Sequence, residues 1–150
     1  MMYRTHIMFA LFLALLTFEQ ISNKVNTFVY TGIILFSSLI PDIDITTSKF
    51  GRKLKLVGYM FEYRGFFHTL LCLMIGSFIV SYFFSNEIVI AFSIGYFSHI
   101  ILDVLNIQGV KLLYPCNFKL KGFIKVGSLS ENILFLLFCI LDVGLIMYYA

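Results

Sequence analysis

Five long apolar stretches dominate this sequence and constrain its fold more than any other feature. They run over Met2–Ile21, Val25–Ile40, Gly65–Phe84, Ile88–Leu105 and Glu131–Ala150. A helix rises about 1.5 Å per residue, so roughly 20 residues cross a hydrocarbon layer about 30 Å thick. The sequence therefore predicts an all-α, polytopic transmembrane bundle of about five spanning helices. The first two stretches also fit re-entrant or partly buried helices, since the second is short and the apolar centre of the first covers only Ile7–Phe18.

The composition excludes a soluble enzyme. Of 150 residues, 60% are hydrophobic and 13% are charged, against roughly 45–50% and about 25% in soluble domains. One domain of residues 1–150 cannot hide this excess in its core, so the lipid bilayer is its expected surrounding. The net charge of +3 gives no large basic surface, and no nucleic-acid partner is expected. The three cysteines lie far apart and indicate neither a disulfide framework nor a metal knuckle.

Lysine and arginine are distributed unevenly between the loops. The amino-terminal segment, the second loop (Pro41–Arg64) and the fourth loop (Asn106–Ser130) hold ten of the eleven cations. The positive-inside rule places these segments in the cytoplasm and the carboxyl terminus outside. Arg4 followed by an apolar run also resembles a signal peptide, but no small-residue cleavage pattern follows Leu16, which favours a retained helix.

Ionisable residues cluster at the same predicted ends of the apolar stretches. They are His6, Asp42, Asp44, His68, His99, Asp103 and Glu131, and they include all three histidines. With the predicted orientation, every one of them lies at the cytoplasmic face. Ionisable residues at membrane depth are costly, so each is a candidate for function. Each taken singly also fits an interfacial side chain or a helix cap.

Two local patterns sharpen this prediction. His99 and Asp103 are four residues apart, so they share one face of a helix and point toward one place. Asp42 and Asp44 follow Pro41, which stops or redirects a helix. The first pair also fits a buried hydrogen-bonded couple, and the second pair also fits solvated carboxylates.

The donor atoms in this set are nitrogen and oxygen without thiolate. Such a set suits Zn²⁺, Mn²⁺, Fe²⁺ or, where carboxylates dominate, Mg²⁺, and zinc is the best single prediction. A site of this kind with an open position lowers the pKa of a bound water toward neutrality.

Several motifs occur in the same order and spacing as in a known family. They are Thr5-His6, Leu39–Asp44, Arg64–Thr69, Gly95–Asp103, Gly109–Pro115 and Gly127-Ser128-x-x-Glu131. On these motifs the chain resembles the YdjM-like inner-membrane proteins, a family described as membrane-bound metal-dependent hydrolases and distantly similar to zinc-dependent phospholipase C and P1-type nucleases. The resemblance implies an integral inner-membrane protein. It also implies that the matched histidines and aspartates bind metal.

The chain departs from the family pattern before the third stretch. Family members commonly carry His, Thr and Ser where this chain has Tyr63, Phe67 and Thr69. The replaced histidine removes one candidate ligand or proton donor.

These observations lead to a metal-dependent hydrolase that cleaves a phosphoester, on a lipid or a lipid-linked substrate reached from the cytoplasmic leaflet. The predicted metal ligands are His6, Asp42, Asp44, His68, His99 and Asp103. Asp44, Asp42 or Glu131 would accept a proton from water, and Arg64 would pair with a phosphate oxygen in forked geometry.

Two alternatives come from other classes of protein. The first is a metal-binding or metal-transporting membrane protein, in which Asp142 inside the last stretch marks an ion path. The second is an interaction protein in which the His and Asp pairs only lock helices together. The sequence leaves the oligomeric state open.

Overall fold

The computed structural model describes residues 1–21, 25–44, 66–113, 116 and 118–149. The α-helices within these ranges are α1 (Tyr3–Leu16), α2 (Phe18–Ile21), α3 (Thr27–Ser37), α4 (Leu70–Phe83), α5 (Asn86–Val104) and α6 (Leu129–Tyr149). Short 3-10 turns cover Pro41–Asp44 and Phe66–His68. The described residues form no strand, only two isolated β-bridges. Five longer helices thus occupy the five apolar stretches, which confirms the predicted all-helical class.

Two of these helices are long and apolar enough to cross a bilayer, namely α5 with 19 residues and α6 with 21. Helices α1, α3 and α4 have 14, 11 and 14 residues, fewer than the roughly 20 that a full crossing needs. The first apolar stretch is interrupted at Thr17, whose hydroxyl donates to the Leu13 carbonyl over 2.8 Å. In the second apolar stretch, Asn26 caps the amino end of α3, so the helix begins at Thr27. Of the about five predicted spanning helices, two are therefore long enough for a full crossing. The short α1 and α3 lie in the two stretches for which the sequence also allows re-entrant or partly buried helices.

Helix α5 lies at the centre of the bundle, in contact with α1, α3 and α4. Small side chains allow this packing, because Ala10 and Ala14 of α1 and Ala91 of α5 are buried in one core. Gly95 sets the closest approach. A Cβ atom there would lie 2.1 Å from Ser37 Oγ and 2.2 Å from the Ile34 carbonyl oxygen of α3.

Helix α6 lies at the edge of the bundle and packs on α1. Phe138 of α6 contacts Phe9, with ring centroids 4.8 Å apart. The rest of the helix surface carries exposed large apolar side chains, among them Ile140 and Met147. Such a surface is costly in water and natural in lipid.

The segment between α5 and α6 folds back on itself. Val110 pairs with Leu120 through two backbone hydrogen bonds of 2.9 and 3.0 Å. Gly109 makes the turn possible, since its φ is 62° and a Cβ atom would lie 2.2 Å from the Leu120 carbonyl oxygen. The Leu70 amide of α4 donates to the Leu112 carbonyl over 3.2 Å. This bond ties the segment to the amino end of α4.

Candidate metal centre

Five of the predicted site residues meet at one end of the helix bundle. His6 comes from the first turns of α1, Asp42 from the turn after α3, and His68 from the turn before α4. His99 and Asp103 come from the last turns of α5. The three histidines and Asp103 are at most 1% exposed, so the cluster is enclosed by the protein.

Asp103 connects the members of this cluster. Its Oδ1 lies 3.5 Å from His6 Nε2 and 2.7 Å from the amino nitrogen of Met1. Its Oδ2 lies 3.5 Å from His68 Nε2 and 3.7 Å from His99 Nε2. One carboxylate therefore faces all three imidazoles.

The orientation and tautomer of His99 are set by a backbone group. Its Nδ1 lies 2.7 Å from the Ser38 carbonyl oxygen, which can only accept, so Nδ1 carries the proton and donates it. Nε2 then keeps its lone pair and faces Asp42 Oδ1 at 3.5 Å. This second-layer bond is the usual way to aim a histidine at a metal ion.

His6 stacks on His99. The two ring centroids are 3.9 Å apart and the ring planes differ by 8°. Neither ring nitrogen of His6 has a hydrogen-bond partner within the described ranges, although the side chain is buried. A buried imidazole without such a partner is costly unless a ligand or an ion satisfies it.

The spacing of the donor atoms fits a metal ion. Ligand atoms about 2.0–2.1 Å from a tetrahedral zinc ion lie roughly 3.3–3.4 Å from one another. The contacts of Asp103 and Asp42 with the three Nε2 atoms span 3.5–3.7 Å, longer than most N–H···O hydrogen bonds. Two overlapping groups, His6–His99–Asp103 and Asp42–His68–His99, each offer donor atoms within 4.8 Å of one another.

A tyrosine that the sequence analysis did not single out positions His68. The Tyr96 hydroxyl donates to the Phe67 carbonyl over 2.5 Å, and the side chain is 1% exposed. This bond fixes the 3-10 turn that carries His68. Tyr96 precedes His99 by three residues, and that helical spacing is the signal that points to it. No sequence pattern points to the Ser38 carbonyl that orients His99, because every residue has a backbone carbonyl group.

Glu131 is buried beside the cluster but its carboxylate is engaged with the backbone. Oε1 accepts from the Met2 amide over 2.5 Å, and Oε2 accepts from the Gly127 amide over 2.7 Å. The side chain thereby joins the start of α1 to the start of α6. These bonds give Glu131 a positioning role, and its predicted proton transfer stays a prediction.

The other predicted site residues fall elsewhere. Arg64 and the side chain of Asp44 lie outside the described residues. Asp142 lies 11 residues after Glu131 on α6, about 16 Å along the helix axis, and so apart from the cluster.

Fold and site together define a helical membrane protein with a buried histidine and aspartate cluster at one end. The chain belongs to the YdjM inner membrane protein family, which it matches over residues 1–149. This confirms the predicted family and the inner membrane as its location. The likeness to phospholipase C and P1-type nucleases stays a prediction.

Two relatives illustrate this membership. The chain is 40% identical over 103 residues to the protein named "Uncharacterized protein YvsG" from Bacillus subtilis, covering 64% of each chain. It is 32% identical over 97 residues to "Inner membrane protein YdjM" from Escherichia coli, covering 58% of this chain and 50% of the relative. The chain thus spans half to two thirds of the length of these relatives. No solved structure matches it.

Proposed function

We propose that this chain is a membrane-embedded, metal-dependent hydrolase that cleaves a phosphoester bond of a lipid or lipid-linked substrate. The observation that carries the proposal is the convergence of three buried imidazoles with Asp103 and Asp42, in which four nitrogen–oxygen contacts measure 3.5–3.7 Å. His6 supports this reading most directly, because its imidazole is buried and neither ring nitrogen has a hydrogen-bond partner within the described ranges, which is costly unless an ion or a ligand satisfies it.

His68, His99, Asp103 and Asp42 are the proposed ligands, and His6 adds a fifth donor on the other oxygen of Asp103. The three imidazoles favour zinc over magnesium. A divalent ion bound there supplies a Lewis acid for the phosphoester and an acidified water.

His99 limits the number of ions. Its Nδ1 proton is held by Ser38, so Nε2 has the one lone pair available to both overlapping donor groups. A neutral imidazole nitrogen binds a single ion through that pair. We therefore expect one ion per chain at this centre.

The remaining chemistry belongs to residues near the centre. Asp44 follows Asp42 in the same turn, and we assign it the role of proton acceptor. Arg64, four residues before His68 in the sequence, is assigned to a phosphate oxygen, which a guanidinium group binds through two parallel hydrogen bonds.

The first test is elemental analysis of detergent-purified protein. We expect about one zinc ion per chain, lost in His99→Ala and in Asp103→Ala. Glu87→Gln, at the opposite end of α5, is the matched control and keeps the ion. Each protein that keeps metal is then assayed for release of phosphate or headgroup from phosphatidic acid and phosphatidylglycerol. A parent chain without metal after reconstitution with zinc and manganese would refute the hydrolase.

A second candidate function, transport of a metal ion, is favoured by Asp142. This side chain is 3% exposed, and neither carboxylate oxygen has a hydrogen-bond partner within the described ranges. Acidic groups at this depth mark ion paths in transporters. Zinc uptake into proteoliposomes that Asp142→Asn abolishes, with metal at the His99 centre retained, would favour transport over hydrolysis.

A further inference from the structure

An apolar groove runs along the first turns of α4. One wall is the face of α4 between Leu70 and Met74, and the other wall is formed by Leu112, Leu113 and Cys116. The cavity measures about 590 Å³, within the range of sites that bind small molecules. The lining residues that the structure describes carry aliphatic and sulfur-containing side chains and no charged one.

The groove begins next to a proposed metal ligand. His68 ends the 3-10 turn, and Leu70 follows two residues later as the first residue of α4. Two residues span at most about 7 Å of chain. The hydrogen bond from the Leu70 amide to the Leu112 carbonyl joins the two walls at this end. A molecule lying in the groove therefore has one end near the metal centre.

At its other side the groove is continuous with an exposed apolar surface of α4. Met74 is 61% exposed and Phe78, one turn further along, is 75% exposed. In an inner membrane protein such a surface contacts lipid chains. A chain from the bilayer can thus enter the groove sideways without leaving an apolar surrounding.

Charge near the groove favours an anionic headgroup. Lys111 directly precedes the lining residue Leu112, and Lys119 and Lys121 are exposed on the same folded segment. Lysines close to a membrane surface attract anionic lipid headgroups. The apolar groove and this basic segment thus match the two parts of one anionic phospholipid.

We propose that this groove binds an acyl chain of an anionic phospholipid and so places the headgroup phosphate at the metal centre. The identification of that lipid as substrate rests on the proposed hydrolase function. The proposed binding of the acyl chain rests on the groove and does not depend on that function.

Photolabelling of the full chain in detergent micelles tests the proposal. The probe is phosphatidic acid with a diazirine at the end of one acyl chain, and labelled peptides are mapped by mass spectrometry. We expect labelling at residues 70–74 and at Leu112, Leu113 and Cys116 that excess unlabelled phosphatidic acid removes and glycerol 3-phosphate does not. Labelling of the exposed face of α6 should resist the competitor. If labelling in the groove persists with excess phosphatidic acid as it does on α6, the proposal is overturned. Capture of a second copy of the protein in the groove would also overturn it.

Two variants keep the test independent of folding. Leu73→Trp fills the groove. It should weaken the competable labelling, meaning the labelling that unlabelled phosphatidic acid removes, about tenfold, equal to about 1.4 kcal/mol. Leu113→Ser places a polar side chain at a position that is 58% exposed, and it should also weaken the competable labelling. Ile140→Trp on α6, 62% exposed, is the control and should leave labelling unchanged. Unchanged labelling in both groove variants would contradict the assignment.

The outcome is separable from that of the hydrolase proposal. Competable labelling should persist in His99→Ala, which lacks the metal centre. Such labelling without phosphoester cleavage by the parent chain would refute the hydrolase and support the groove. Cleavage without competable labelling would support the hydrolase and refute the groove.

Discussion

The two long helices, α5 and α6, use their buried positions in opposite ways. Helix α5 buries eight residues on several sides, including Gly95, Tyr96, His99 and Asp103. Helix α6 buries three, Glu131, Phe138 and Asp142, along a single stripe that faces α1. Polar groups on a central helix can contact several neighbouring helices. Polar groups on a peripheral helix in lipid can contact only the one helix against which it packs.

The acidic residues of the two helices show what this difference does. Asp103 lies within 3.7 Å of three imidazole nitrogens from three parts of the chain. Asp142 is buried to a similar degree, but neither of its oxygens has a hydrogen-bond partner in the described part of the protein. Burial alone therefore does not make a site, because converging neighbours are needed.

The largest effect should come from a methyl group added to the centre of α5. In Gly95→Ala the new Cβ atom would lie about 2 Å from Ser37 Oγ and the Ile34 carbonyl oxygen, so α3 must move away. We expect a loss of about 3 kcal/mol in unfolding free energy. Metal affinity should also fall, because Ser38 on the displaced segment holds His99. Denaturant unfolding in detergent and metal titration measure both effects.

The matched control is Gly144→Ala on α6, where a Cβ atom meets nothing within 4 Å among the described residues outside its own helix backbone. Here better helix propensity should leave stability equal or raise it by about 0.5–1 kcal/mol. Similar losses in both variants would show that α5 is no more tightly packed than α6.

Removal of the isolated acid on α6 should stabilise the protein. Asp142→Leu replaces a carboxylate that has no hydrogen-bond partner within the described ranges, and such a group costs about 1–3 kcal/mol when buried. We expect a gain of about 2 kcal/mol in unfolding free energy. Thermal unfolding of parent and variant in the same detergent measures the change. A destabilised variant would mean that Asp142 is used by the fold, which would weaken the contrast with Asp103.

Loss of the Tyr96 hydroxyl should loosen the proposed metal centre without unfolding the chain. Tyr96→Phe removes the hydrogen bond to the Phe67 carbonyl beside His68. Groups that orient metal ligands change affinity by about 10–100-fold, and we expect the low end of this range. Competition with a chelator of known affinity measures it. Tyr148→Phe on α6, where the side chain is 76% exposed, is the control and should leave affinity unchanged.

Much of this organisation could be predicted from the sequence. Apolar length located the five helices, and the four-residue spacing of His99 and Asp103 placed both on one face of α5. Helix lengths were harder to predict, because they depend on single contacts such as the Thr17 hydroxyl with the Leu13 carbonyl. The Ser38 carbonyl that orients His99 could not be predicted, since a backbone group has no residue type.

Glu131 shows the same limit for a side chain. Its position at the start of the last stretch indicated that it would lie with the cluster, and it does. The groups it bonds are two backbone amides, from Met2 and Gly127. Gly127 lies four residues before Glu131, and Ser128-x-x-Glu131 has the pattern of a capping box, so this local bond has a signal in the sequence. The Met2 amide becomes a neighbour only on folding and leaves no such pattern.

The smallest effect should separate the positioning role of Glu131 from its predicted proton transfer. Glu131→Gln keeps the size of the side chain but leaves one oxygen and one NH₂ group facing two amide donors, so one hydrogen bond is lost. We expect a loss of about 1 kcal/mol in unfolding free energy, with one metal ion per chain retained and hydrolysis within about twofold of the parent. Unfolding, elemental analysis and the phosphatidic acid assay measure these quantities. A fall in hydrolysis of about 100-fold at unchanged metal content would instead identify Glu131 as the proton acceptor, since loss of a general base lowers the rate without releasing the ion.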